Sequence, residues 1–385
     1  MAVESFTRER VYVKAESSFN DTAYTSLAAG DAIIARSCAL QVAHNRVPSK
    51  SKRGTPDVIT DLPRMQTSGF DVTAEWRPSG TLGTESDLGP LFKSFFGSQS
   101  LAGSGSGVTT TVSASPSPTA TGCTVASATG ISVGDIIIVT TSNGREATRV
   151  KTKATNALTY DALSAAPATG AAVVAGVTYG LTTAVGQSLA IARFFASKKE
   201  CVTGAQANSL EVTFGKQDEV IARFSGMSAQ HRGNAAATSL SDPSTTTVVG
   251  SPLNGIIGIG IVNGYTFKVT SARFSMNNAL ALRDQDIGQS YATEAFRNDF
   301  RDGTVEISFY LDDHRVADLG YVFTKAAFSL VLGSTNGAML AAVAPSVLWD
   351  EPALPAGENG VAMMTVRGQL YATSTGNDSL FLGEL

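Results

Sequence analysis

Residues 69–76 read Gly69-Phe70-Asp71-Val72-Thr73-Ala74-Glu75-Trp76, and their alternation decides the fold class. Phe70, Val72, Ala74 and Trp76 fall on one side of an extended chain, with Asp71, Thr73 and Glu75 on the other. A period of two marks a strand with one buried face. Pro78 and Gly80 close the segment. Upstream, residues 33–34 and 39–42 are apolar. Between them and the alternating run lie Arg46, Lys50, Lys52 and Arg53, beside Pro48 and Gly54, a composition that reads as a projecting basic loop. Downstream, residues 85–96 gather Leu88, Leu91, Phe92, Phe95 and Phe96 on one face of a short helix, stopped by Gly97.

The same grammar returns later. Gly303-Thr304-Val305-Glu306-Ile307-Ser308-Phe309-Tyr310 alternates as the first run does. An Asp318-Leu319-Gly320 helix start follows it, as Asp87-Leu88-Gly89 follows the first. Residues 35–40 and 271–276 stand about thirty residues ahead of their respective strands. Two tandem domains, each a sheet covered by a helix, account for this order. Between them, residues 101–121 are rich in Ser, Gly, Thr, Ala and Pro and read as a linker into an inserted module. That module has an apolar strand region ending at Val139, a tight turn at Asn143-Gly144, and a strand region joining Val173-Val174 with Val177-Thr178-Tyr179. Residues 209–214 and 219–224 alternate on either side of a short break and read as a hairpin. The expected architecture is mainly β. It has a first domain over 1–102 and 181–252, a small inserted β domain over 103–180, and a second domain over 253–385.

Composition narrows the function classes. With 16% charged residues, 37 glycines and a net charge of −4, the chain lacks the concentrated positive charge of a dedicated nucleic-acid binder. Three widely spaced cysteines, Cys38, Cys123 and Cys201, make neither a disulfide framework nor a zinc motif and are expected to be reduced. The start reaches Arg8, Glu9 and Arg10 without an apolar leader, and residues 255–262 are too short to cross a bilayer, so cytoplasmic assembly is the expectation. Gly122, Gly130, Gly134 and Gly144 lack phosphate-loop spacing. His44, His231 and His314 stand apart from ligand patterns, and Ser225-Gly226 is no nucleophile elbow. No catalytic, metal or cofactor site is expected. Trp76 reads as a buried strand residue and Trp349 as a loop or interface anchor.

Residues 204–214, Gly-Ala-Gln-Ala-Asn-Ser-Leu-Glu-Val-Thr-Phe, followed by Val220-Ile221-Ala222-Arg223-Phe224-Ser225-Gly226, resemble the hairpin of tail tube proteins of long-tailed bacteriophages. The helix from Asp87-Leu88-Gly89 to Phe96-Gly97 and the stretch from Arg46 to Arg53 are compatible with that family's flanking helix and long connecting loop. The resemblance implies two tube-like β-sandwich or barrel domains with short flanking helices. It implies rings that stack into a conduit for DNA in the virion tail, and three chains of two domains each replacing six single-domain subunits. Under it, Arg46, Lys50, Lys52 and Arg53 are candidates for contact between rings. Asp71, Glu75 and Glu306, opposite the apolar positions of their strands, are candidates for the channel wall, whose acidic character would repel DNA. Implied partners are other copies of the chain, tape-measure, tail-terminator and distal-tail proteins, and DNA in transit, with no membrane insertion. A tail-end or baseplate hub adaptor is the alternative within the class, and a carbohydrate-binding surface protein the alternative outside it.

Overall fold

The computed structural model describes residues 9–48, 61–195, 198–216, 218–233, 243, 250–256, 258–310, 318, 324–351, 356–358 and 361–385. The chain opens with strands β1 (Glu9–Ala15), β2 (Ala32–Ile33), β3 (Ala35–Pro48) and β4 (Asp61–Glu75), helix α1 (Gly89–Phe96) and strand β5 (Gly97–Leu101). β4 behaves as its alternation requires, with Phe70, Val72, Ala74 and the adjoining Trp76 buried. It pairs antiparallel with β3 from Ala35↔Ala74 to Pro48↔Asp61. Arg46 therefore sits in a strand, opposite Pro63, and not in a loop. The ladder shifts register between His44 and Arg46 but resumes and continues to Pro48, which has no N–H to donate. Lys50, Lys52 and Arg53 lie outside the described residues.

α1 starts at Gly89, later than the apolar spacing indicates. The preceding residues are engaged elsewhere: Ser86 donates from both N–H and hydroxyl to Glu384, and Asp87 accepts the Ile34 N–H at 3.0 Å. Pro90, near the helix start, needs no donor there. Leu88, Leu91, Phe92, Phe95 and Phe96 are all within 1% of complete burial. Each such side chain contributes about 1.5–3 kcal/mol on burial. Gly97 ends the helix at φ 82°, its N–H returning to the Lys93 carbonyl.

A separate six-stranded sheet follows, built from β6 (Val108–Thr111), β7 (Gly122–Thr124), β8 (Ile136–Thr141), β9 (Gly144–Ala154), β10 (Ala157–Tyr160) and β11 (Ala172–Ala175), in the order β6–β11–β8–β9–β10–β7. Residues 101–121 are thus not all linker. The Val-Thr-Thr-Thr stretch at 108–111 suits a pleated edge and pairs with β11. Asn143 lies in the two-residue turn between β8 and β9, as the sequence predicts. Ile136 to Val139 is apolar without alternation because both faces are covered. Ile137 and Val139 face this sheet's own core with Val150, Leu158 and Val173. Ile136 and Ile138 pack with Val331, Met339, Ala341 and Val343 of the large sheet. The Arg149 guanidinium, 8% exposed, reinforces that contact at 2.7 Å from Asp378.

The chain returns to the large sheet through β12 (Val177–Leu181), β13 (Leu189–Phe195), β14 (Lys198–Gly215), β15 (Ile221–Ser228) and β16 (Gln230–Arg232). Val177–Leu181 does not continue the strand region of Val173-Val174, as its sequence grouping implies; it pairs with β5 instead. β14 and β15 form the expected hairpin, from Gln206↔Met227 to Thr213↔Ile221. Gly226 of the Phe-Ser-Gly ending is required there, since a Cβ would lie 2.0 Å from the Gln206 carbonyl oxygen.

The remaining strands are β17 (Gly258–Val262), β18 (Tyr265–Phe267), β19 (Val269–Asn277), β20 (Leu280–Arg283), β21 (Glu294–Arg297), β22 (Asp302–Tyr310), β23 (Lys325–Thr335), β24 (Ala338–Trp349), β25 (Ala356–Glu358), β26 (Val361–Leu370) and β27 (Phe381–Glu384). β20 and β21 make a two-stranded sheet of their own. Strand pairing in the first set runs β2–β1–β13–β14–β15–β4–β3. In the second it runs β18–β17–β23–β24–β26–β22–β19, the same order of strands along the chain. The segments compared in sequence, 69–75 with 303–310 and 35–40 with 271–276, occupy matching places in these runs. The expected helix after β22, with His314, falls mainly outside the described residues; Lys325 and Ala326, at its expected end, begin β23.

One core serves both runs. Trp76, Phe214, Phe274, Phe328 and Trp349 form a string of aromatic rings with successive centroids 6.2, 5.9, 5.7 and 6.0 Å apart. Trp349 is therefore a fully buried strand residue and no loop or interface anchor. Its place at the end of β24 turns the indole toward Phe328.

Cys38, Cys123 and Cys201 are free and buried. Burial pushes the thiols of Cys38 and Cys201 up to about 12 and raises that of Cys123. With the thiolate so disfavoured, a neutral thiol reagent is expected to titrate the three cysteines only after denaturant is added. Rapid labelling of the native chain would contradict their placement.

Candidate functional site

The apolar sides of β4, β15, β14, β19 and β22 fill the core, which leaves their other sides as one broad exposed face. Strand order across it is β3–β4–β15–β14–β19–β22–β26–β25. β14 and β19 join the two runs edge to edge, with Ser209↔Asn277 through Gly215↔Ser271 in register. Among the described pairings β3 is bonded only to β4 and β25 only to β26, so the face ends in two open edges.

Asp71, Glu75 and Glu306 all lie on this face, but not as isolated acids. Asp71 on β4 accepts from the Arg223 guanidinium of β15 at 2.6 Å. Arg223 stands opposite Glu211 of β14, and Glu211 accepts from Arg273 of β19 at 2.7 Å. Arg273 faces Glu306 of β22, which in turn faces Arg367 of β26. The sequence Asp71, Arg223, Glu211, Arg273, Glu306, Arg367 thus alternates in sign across six strands. The hydrogen bond to Asp71 holds the Arg223 guanidinium above its usual value, and Glu211 does the same for Arg273. Glu75 belongs to a neighbouring cluster: Arg36 lies 3.1 Å from it and 2.8 Å from Glu219, and Arg77 also donates to Glu75. Burial works to raise the Glu75 carboxyl, but the hydrogen bonds from Arg77 and Arg36 outweigh it and keep Glu75 below its usual range.

Exposed pairs of this kind contribute little to stability, about 0–1 kcal/mol each; their weight lies in the charge the face presents. The four partners Arg223, Glu211, Arg273 and Arg367 were not singled out from sequence. Their signal is the polar position each holds within an alternating strand. The pairing itself depends on register between segments as distant as residues 71 and 223.

His231 Nε2 lies 3.3 Å from Glu200, a pair inside the fold. Among the described residues no group of three or more His, Cys, Asp or Glu side chains is placed to hold a metal ion. Among them also, no helix is long and apolar enough to cross a membrane.

No curated protein matches the chain. Residues 177–370, half of its length, match the family model described as phage tail tube protein. That stretch holds the β14–β15 hairpin, the β14–β19 join and the whole second run of strands. By this match, the chain belongs to the phage tail tube protein family.

Proposed function

We propose that three copies of this tail tube protein close into a ring, and that rings stack into the hollow conduit through which DNA passes. The observation that carries this reading is the β14–β19 join. It connects two runs of strands with the same pairing order inside one chain, and among the described pairings β3 and β25 are open edges at the ends of the same face. On this reading the chain is a duplicated tube domain, and residues 103–180 are an accessory β domain inserted in the first copy. Repeating the join between copies, with the β25 edge of one chain meeting β3 of the next, satisfies the open backbone groups by strand addition. A heterologous contact of this type closes a ring when its rotation divides a full turn. Three chains then supply six tube domains.

The exposed face becomes the channel wall and brings Asp71, Glu75 and Glu306 to the lumen. Contact between rings is assigned to Arg46 on β3 and to Lys50, Lys52 and Arg53, which lie outside the described residues. Assembly takes place in the host cytoplasm, and the ends of the tube meet tape-measure, terminator and distal-tail proteins.

Electron microscopy of the purified chain under assembly-promoting conditions tests this. Stacked hollow rings with three chains per ring are the expected result. Persistent monomers, or only discrete capped rings, would overturn it.

A further inference from the structure

We propose that the cross-strand ladder of alternating charges keeps the exposed face from adhering to a polyanion, by holding each of its inner arginines against carboxylates. The inference rests on the reading that this face is turned to the channel.

An arginine on an exposed strand is a ready phosphate ligand, because its planar fork binds two oxygens at once. Several in a row across a sheet would release counterions from DNA and hold it. Here the row exists, with Arg223, Arg273 and Arg367 exposed at successive places across the face. Two of the three are already engaged: Arg223 on Asp71 at 2.6 Å and Arg273 on Glu211 at 2.7 Å. The third faces Glu306 in register. A purely acidic wall would repel a polyanion at long range and a basic one would trap it. An alternating wall does neither beyond a few ångströms, because fields of opposite charges on adjacent strands cancel and salt screens the remainder. The expectation of a simply anionic surface therefore gives way to one of local neutrality, in which the carboxylates act as covers for the arginines.

The test uses the purified full chain and a short fluorescently labelled DNA duplex, with binding read by anisotropy at low salt. The double variant Asp71→Asn with Glu211→Gln removes the carboxylates hydrogen-bonded to Arg223 and Arg273, leaving Arg223 uncovered and Arg273 with only Glu306 opposite it. The control, Asp284→Asn with Asp299→Asn, makes the same change of net charge at exposed positions off the ladder. Wild type and control are expected to bind weakly. The ladder variant is expected to bind at least about tenfold tighter, with a steeper loss of binding as salt is added. Equal gains in both variants, or no gain in the ladder variant, overturn the inference. Circular dichroism confirms that each variant is folded. Electron microscopy of the same samples reports ring formation separately, so failure of the ladder is distinguishable from failure of the tube reading.

Discussion

Glu384→Ala is expected to lower the apparent melting temperature by on the order of 10 °C. The Glu384 carboxylate is fully enclosed and accepts four hydrogen bonds: from the Trp76 indole N–H at 2.8 Å, from the Ser86 N–H and hydroxyl at 2.7 Å each, and a longer one from the Tyr179 hydroxyl at 3.5 Å. Alanine leaves those donors buried without an acceptor, at about 1–3 kcal/mol apiece, and opens a void beside the indole. Glu384 is also expected to make the stability of the fold depend on pH. Burial, opposed by the hydrogen bonds from Ser86 and Trp76, raises its carboxyl from the ordinary 4.5 to about 7. The native state therefore retains a proton that the unfolded chain gives up at lower pH. The stability this confers is fully present below pH 4.5 and is lost as pH rises through about 7. The shift corresponds to roughly 3 kcal/mol. Glu384→Gln does not titrate, so its melting temperature is expected to change less than that of the wild type across this window. Thermal melts of the two proteins at several pH values check this, and parallel curves would refute it.

Phe92→Ala is expected to remove about 3–5 kcal/mol, read as the shift of a urea midpoint. Phe92 is fully buried where the helix meets three strands. Its ring stacks on Tyr179 at 4.9 Å, tilts against Trp76 at 4.8 Å and meets Phe224 edge-on at 5.1 Å. The neighbouring rings are held in place, Tyr179 by β12, Phe224 by β15 and Phe96 by α1 itself, so such a hole is expected to stay largely unfilled. Phe92→Leu keeps most of the volume and is expected to cost less than half as much. A shift below about 1 kcal/mol for the alanine variant would show that α1 is not the cover of this core.

Much of this arrangement is legible in the sequence. Alternation placed Phe70, Val72, Ala74 and Trp76 on the buried side because period two is a local property. The Gly226 ending, the Asn143 turn and the apolar stripe of α1 were likewise local. What escaped were features whose cause lies in distant register. Arg223 is an ordinary polar-face residue until β15 is laid against β4, and only then does it meet Asp71. Glu384, at the end of Phe381-Leu382-Gly383-Glu384, has the look of a solvent-facing acid. Its burial follows from β27 lying between β12 and β24, where its side chain reaches Trp76 across the core. Arg46 was misplaced for a related reason: charge and a nearby proline argued for a loop, while backbone pairing carried the strand past it. Of the ring-contact candidates only its backbone position is described, whereas all three channel candidates fall on the same face.

The small sheet begins and ends at one point of the large one. Leu101 and Val177 are register partners, and the Ala102 N–H bonds the Gly176 carbonyl at 3.0 Å. In polymer terms, the excursion between β5 and β12 is a loop whose ends its own folding ties together. An unfolded loop of that length would burden closure of the β5–β12 ladder with a term that grows logarithmically with residue number, about 0.6 kcal/mol for each doubling. A folded unit with adjacent ends removes that dependence. The surrounding sheet then experiences the excursion as a short rigid joint, and the module's size is nearly independent of the thermodynamics of the ladder that carries it.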